Sequence, residues 1–306
     1  MKKVIGFMRK YPAFTGLVGL LIVLSILSDR FMTVSNMLNV LRQASIQAIL
    51  AFGMTVVIVS GGIDLSVGSV FAFSAVVLAS ILKSGSIFFA IVVALVIGGA
   101  FGAFNGIIVA KTKIQPFIVT LATMAIARSF TLVYTNGMPI TGFSQSFRFI
   151  GRGEFLKVPM PVWIMFSVFV FTWYFLAKTK PGLYVYSIGG NEEATRLSGV
   201  KVDRYKILVY VISGVFSAVG AIVLTARLNS AQPIFGQGYE LDAIAASVLG
   251  GASLSGGKGG VVGTLFGALI MGVINNGLNL LNVSPFYQQA VKGFVILAAV
   301  LMEREQ

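Results

Sequence analysis

Long apolar runs separated by short polar punctuation organise this chain. They cover residues 13–28, 44–60, 67–82, 87–110, 116–134, 162–177, 207–226, 260–281 and 289–302, with a shorter apolar piece at 241–250. Most are long enough for a helix rising about 1.5 Å per residue to cross a hydrocarbon core about 30 Å thick, allowing for polar flanks. The piece at 241–250 is too short to cross alone, so it is expected to continue into, or lean against, the glycine-rich segment at its C-terminal end. The segment 34–42 is amphipathic, with Asn36, Asn39, Arg42 and the adjoining Gln43 among apolar residues, and predicts an interfacial helix before the second span. The pattern predicts an all-α integral membrane protein in one domain, 1–306, with about ten transmembrane helices and both termini inside.

Two interruptions share a spelling. GGIDLSVG at 61–68 and GGASLSGG at 250–257 both fit GGxxLSxG, each after an apolar segment and before another rich in small residues. Paired glycine breaks in two hydrophobic halves mark transporters, whose broken or re-entrant helices line a pathway near the middle of the membrane. Two ordinary turns are the plainer reading, but the shared Leu-Ser pair at the same offset favours the first. Small residues also recur in two later runs. Gly98, Gly102 and Gly106, and then Gly259, Gly263, Gly267, Ala268 and Gly272, form stripes that let another helix backbone come close.

Composition narrows the class. Of 306 residues, 57% are hydrophobic and only 11% charged, against about 25% charged in soluble domains. Little mass is left for soluble machinery. The net charge of +13 does not signal nucleic acid, because the basic residues sit at the ends of apolar runs. Of the 23 Lys and Arg, fourteen fall on segments assigned to the inside and six on outer ones. The N-terminal run behind Lys2, Lys3, Arg9 and Lys10 reads as an uncleaved first span. Absence of cysteine and histidine excludes disulfides, cysteine nucleophiles, histidine relays and typical zinc sites.

Candidate chemistry is that of a pathway, with no catalytic constellation. ASLSGGKGG is not a phosphate loop, since Ala252 and Gly259 stand where glycine and Ser or Thr are required. Asp64, an acid deep in an apolar region, has two readings: with Ser66 it caps the next helix, or it contacts a polar solute. Gln43, Gln47, Asn105, Asn229, Gln232, Asn275, Asn276 and Asn279 supply amides that donate to and accept from hydroxyls without charge, or that bridge helices. Proton coupling is disfavoured, with Asp64, Glu240 and Asp242 as its remaining candidates. The inner loop 178–206 predicts a short helix capped by Asn191, with Glu192 and Glu193 in its first turn, Leu197 on one face and Gly199 as its stop. In a transporter without its own ATP site, such a helix is the natural handle for a cytoplasmic ATPase.

GGIDLSVGS, GGNEEATRLSGVKV, YELDAIAASVLGGASLSGGKGG and NNGLNLLNVSPFYQQ resemble the membrane subunits of bacterial sugar ABC importers. VYTNGMPITGF and RLNSAQP point to the ribose permease branch. The resemblance spans essentially the whole chain. It implies a type II fold like that of the cobalamin importer, set in the bacterial inner membrane. It also implies a second permease copy, a pair of ATP-binding domains usually fused in one chain, and an extracytoplasmic sugar-binding protein. The cargo it implies is ribose or a related monosaccharide. Carried over, 191–202, including Asn191, Glu192, Glu193, Arg196, Leu197 and Gly199, becomes the ATPase-coupling segment. The outer segments 135–157, with Arg148, Arg152 and Lys157, and 227–240 face the binding protein. No cofactor, metal or nucleic-acid partner is implied. The residues read alone leave open a stand-alone secondary carrier or a passive channel.

Overall fold

The structure is a computed structural model that describes residues 12–112 and 114–303. Lys2, Lys3, Arg9, Lys10, Lys113 and the tail 304–306, all assigned to the inside from sequence, lie outside the described residues. The helices are α1 (Pro12–Leu27), α2 (Val34–Val59), α3 (Val67–Ser84), α4 (Ile87–Lys111), α5 (Pro116–Thr135), α6 (Gln145–Arg152) and α7 (Met160–Lys178). They continue as α8 (Lys180–Gly190), α9 (Glu192–Leu197), α10 (Val202–Leu228), α11 (Tyr239–Leu249), α12 (Val261–Leu280) and α13 (Pro285–Glu303). Among the described residues seven helices, α2, α3, α4, α5, α7, α10 and α12, are long and apolar enough to cross a membrane, and α1 and α13 are shorter apolar helices. The chain is an all-helical, multi-pass membrane protein.

The expected interfacial helix at 34–42 does not exist as a separate element. Val34–Val59 is one continuous helix, started by Thr33, whose hydroxyl accepts the Asn36 amide N–H. Nothing between Arg42 and Ala44 breaks a helix, and the polar residues that suggested an interface are used inside the protein. Asn36 exchanges two hydrogen bonds of 2.9 Å with Asn276, and Asn39 accepts from Arg227 at 2.9 Å. These contacts remove the reason for the segment to seek water.

Cross-helix contacts fix the directions. Along α2 and α12, Asn36 meets Asn276, Ala44 lies against Gly272 and Thr55 bonds Thr264, so the two helices run antiparallel. Along α2 and α11, Gln47 meets Asp242, Thr55 meets Ser247 and Val59 accepts from Gly257, so these run parallel. The 11-residue α11 is only about 16 Å long at about 1.5 Å per residue. It begins beside the middle of α2, ends level with the end of α2, and α12 returns alongside.

Helix α10 is the second axis. The glycine stripe of α4 seats against it, Gly98 on Gly214, Gly102 on Tyr210 and Val211, and Gly106 on Ile207. These backbones approach so closely that a methyl group on Gly102 would overlap the Tyr210 carbonyl oxygen. The later stripe works the same way, with Gly263 on Gly250, Gly267 on Ala246 and Gly272 on Ala44. Without a hydrophobic force between helices in lipid, close packing of this kind supplies the association. At the end where α10 finishes, β1 (Ile140–Thr141) pairs antiparallel with β4 (Ser230–Ala231), and β2 (Glu154–Phe155) with β3 (Val158–Pro159). The two predicted outer segments are thereby joined to each other.

Gly102→Ala is expected to lower stability in detergent by about 1–3 kcal/mol, the usual cost of overpacking. Gly99→Ala, whose new methyl would meet Val215 at an ordinary 3.5 Å, should leave it unchanged. Thermal unfolding of both variants checks this, and equal midpoints would refute the close-packing account.

Candidate functional site

The first break turns at Gly61, whose φ of +82° favours glycine, and runs to Ser66 before α3. Asp64 is 1% exposed, and its carboxylate is held by three hydrogen-bond donations, all of them from uncharged groups. Oδ1 accepts from the Ser66 amide (3.0 Å) and hydroxyl (2.6 Å), and Oδ2 accepts from the Ser213 hydroxyl (2.8 Å). Asn105 donates to the Ser66 hydroxyl at 2.9 Å, and Thr123 donates to Asn105 at 2.6 Å. Ser66, the residue before α3, makes no capping bond itself; Asp64 holds its amide instead. Thr120 accepts the Leu65 amide and donates to the Ile63 carbonyl at 3.2 Å. The cluster is a closed knot of hydrogen bonds in which Asp64 holds the amide of the residue before α3.

The second break comes after α11 and uses positive φ at Gly251, Gly256, Gly257 and Gly259. It touches the first one directly, since the Gly257 amide donates to the Val59 carbonyl at 2.9 Å. Gly189, near the end of α8, fills the corner between them, where a side chain would collide with both Val59 and Gly257. Tyr186 donates to the Gly259 carbonyl at 2.8 Å and ties α8 to the second break.

A third irregular stretch is 229–238, read from the sequence as an outer segment that also supplies the pathway amides Asn229 and Gln232. It descends from the end of α10 to the start of α11, beside the middle of α2. Arg128 of α5 reaches into it and donates to the carbonyls of Pro233 (2.6 Å) and Phe235 (2.9 Å). Gly236 packs against Gly68 with no room for a side chain on either.

The predicted pathway amides divide sharply. Asn276 is spent on Asn36, Asn279 accepts from Gln288 at 2.9 Å, and Asn105 lies in the Asp64 knot. Asn229, left-handed at φ 57°, accepts the Phe143 amide at 2.8 Å beside the β1–β4 pair. Gln47, half-buried Gln232 and Asn275 keep unspent capacity; the side-chain oxygens of Gln47 and Asn275 are buried without a partner. Gln47 donates to Asp242 Oδ2 at 3.3 Å, and Lys292 donates to the same oxygen at 2.8 Å. Asp242 and Lys292 stand outside the predicted pathway set. Their signal was present as charges inside apolar runs.

The short helix α9 forms as predicted. Asn191 accepts the Ala194 amide at 2.9 Å, and Gly199 ends it at φ +82°. Glu192 pairs with Arg196 (3.0 Å) and Lys206 (2.5 Å), Arg196 with Asp203 (3.3 Å), and Asp203 with Lys111 (3.0 Å). Burial pushes the Glu192 carboxyl up, but the hydrogen bonds and charges of Lys206 and Arg196 outweigh it and hold it below the usual range. The ion pairs clamp α9 to the start of α10 and the end of α4. Glu193 and Leu197 are left exposed, Leu197 at 80%. At the opposite end, Lys157 is exposed, exposed Arg152 donates to the Arg227 carbonyl at 2.6 Å, and Arg148 is half-buried.

Comparison with known proteins places this geometry. A family described as "Branched-chain amino acid transport system / permease component" matches residues 36–300. The ribose import permease protein RbsC of Escherichia coli (strain K12) is 50% identical over 306 residues, 98% of this chain and 95% of that protein. RbsC of Bacillus subtilis (strain 168) is 52% identical over 304 residues, 98% and 94% of the two chains. The L-arabinose transport system permease protein AraH of Escherichia coli (strain K12) is 39% identical over 286 residues, 93% and 87%. No solved structure matches the chain.

If Asn36 and Asn276 bridge helices, Asn36→Leu should destabilise the protein by about 1 kcal/mol by stranding its partner. Adding Asn276→Leu should recover most of that loss. Unfolding midpoints of the two single variants and the double variant measure the coupling; strictly additive losses would speak against a bridge.

Proposed function

The chain belongs to the branched-chain amino acid transport system / permease component family, and from that premise we propose that it carries ribose, or a closely related monosaccharide, across the bacterial inner membrane. It is the permease subunit of a sugar ABC importer. The observation that carries the sugar is the step in identity: 50% and 52% to ribose permeases over almost the whole chain, against 39% to an L-arabinose permease.

The seven long apolar helices, the shorter α1 and α13, and an eighth element made of the descent 229–238 and the half-length α11 together support about ten crossings. With the basic residues weighted to one side, we place both termini in the cytoplasm and the fold in the type II class. One domain, 1–306, holds the two GGxxLSxG breaks and the 178–206 segment. Two copies would frame the pathway, with ATP bound and hydrolysed by a partner subunit, in tandem-fused form, and sugar delivered by an external binding protein.

In this scheme α9 is the ATPase contact. Glu193 and Leu197 project from a helix whose base Glu192, Arg196 and Asp203 anchor, so a push is transmitted through the ion pairs without being absorbed in loop motion. Asn191 and Gly199 set its ends. Arg148, Arg152 and Lys157 offer positive charge to the binding protein at the other end. The solute passes Gln47, Gln232 and Asn275, while Asp64, Ser66, Asn105, Asn229, Asn276 and Asn279 hold the walls. The permease itself breaks no bond.

Labelled ribose should accumulate in liposomes only when this chain, its ATPase, its binding protein and ATP are all present. Uptake by this chain alone would make it a carrier or channel. Gly199→Pro should abolish ATPase association and uptake with membrane abundance unchanged, because proline is locked near φ −65° and cannot take the observed +82°. Copurification of the ATPase at the normal level with that variant would remove α9 from the contact.

A further inference from the structure

Three polar side chains from three helices meet about halfway along α2. Asp242, in the first turn of the half-helix α11, is 3% exposed. Lys292 of α13 and Gln47 of α2 both donate to its Oδ2. The other oxygens, Asp242 Oδ1 and Gln47 Oε1, are buried and have no hydrogen-bond partner. Buried polar atoms are almost always paired, and orphaned acceptors need an explanation. Asp64 differs, since that buried carboxylate uses both oxygens on three donors.

An ion pair kept only to lock α11 to α13 would be poorly designed in this form. Buried pairs stabilise little once desolvation is counted, and leaving a second carboxylate oxygen bare adds to the cost. A ligand changes that balance. The free atoms are two acceptors, and the ammonium has donors beyond the one it uses on Asp242. A cation is opposed by Lys292, an anion by the carboxylate, and an apolar solute would leave every group unpaired. Hydroxyl groups, which donate and accept without charge, satisfy all of them. The location agrees, since transporter sites lie near the midplane at the ends of discontinuous helices.

We propose that Gln47, Asp242 and Lys292 form a binding site for a neutral polyhydroxylated solute in the middle of the membrane. The assignment rests on the importer reading above, and it adds two charged residues to the pathway. Asp242 Oδ1 and Gln47 Oε1 take hydroxyl protons, and Lys292 both fixes the carboxylate and offers a donor to a hydroxyl oxygen.

The test is the number of ribose molecules accumulated per ATP hydrolysed in liposomes holding the complete importer. Gln47→Leu and Asp242→Asn are each expected to lower that ratio at least fivefold. The charge exchange Asp242→Lys with Lys292→Asp re-forms an ion pair but moves the acceptor to another helix, so it should stay low. A wild-type ratio in Gln47→Leu, or its restoration by the exchange, would reduce the cluster to a structural latch and overturn the site. Should Asp242→Asn fail to reach the membrane, Gln47→Leu decides alone, because it leaves the ion pair in place. Wild-type liposomes that never concentrate ribose would sink the importer reading itself; wild-type liposomes that do so beside an unaffected Gln47→Leu would sink only this site.

Discussion

Every backbone amide and carbonyl inside a bilayer needs a partner from the protein, because the hydrocarbon offers none. The chain leaves helical geometry at 60–66, 229–238 and 250–260, and much of its side-chain chemistry serves those stretches. Thr120 and Asp64 hold the first, Arg128 the second, Tyr186 and the Val59 carbonyl the third. Arg128 shows the logic most clearly. A guanidinium at membrane depth is costly, yet here its donors go to carbonyls that α-helix would otherwise have satisfied internally.

The same constraint explains the glycines. Irregular backbone can be sheltered only where another backbone covers it, and covering requires contact at distances a side chain forbids. Gly236 on Gly68 and Gly189 against Val59 and Gly257 are such contacts, and the stripe of α4 against α10 extends the principle to whole helices. Glycine therefore does two jobs in this chain. At Gly61 and Gly256 it permits the turn, and at Gly102 and Gly189 it permits the approach.

Local features were legible in the sequence. The breaks, the α4 stripe, and the capped α9 with its Gly199 stop each depend on residues a few positions apart, and each stands where the sequence places it. Partnerships across hundreds of positions were not legible. Asn36 looked interfacial and Asn276 looked like pathway, because an amide's spacing reports its face but not its partner; paired, both become interior. The descent of 229–238 was hidden for a similar reason. Its polar, proline-bearing sequence reads as surface, and Arg128 from α5, with the close Gly236–Gly68 contact, makes it tolerable at depth. Asp242 lay in a segment too short to cross, so its depth was unassigned until Gln47 fixed it.

In the importer proposed above, the position of α8 constrains how force can travel. It leads directly into α9, and its far residues touch both breaks: Gly189 against Val59 and Gly257, Tyr186 on Gly259. At Gly189 the contact has no slack, since even a methyl group would overlap its neighbours. In that importer a displacement of α9 would reach the end of α2 and the glycine break that follows α11 together. These two helices run parallel and are tied by Thr55 to Ser247, and their upper contact is Gln47 with Asp242. A rigid-body shift of α2 and α11 would then move Gln47 and Asp242 relative to Lys292, which belongs to a third helix that α8 does not touch through these contacts. In that importer a push at α9 would be carried through the α8 contacts toward the Gln47–Asp242–Lys292 cluster.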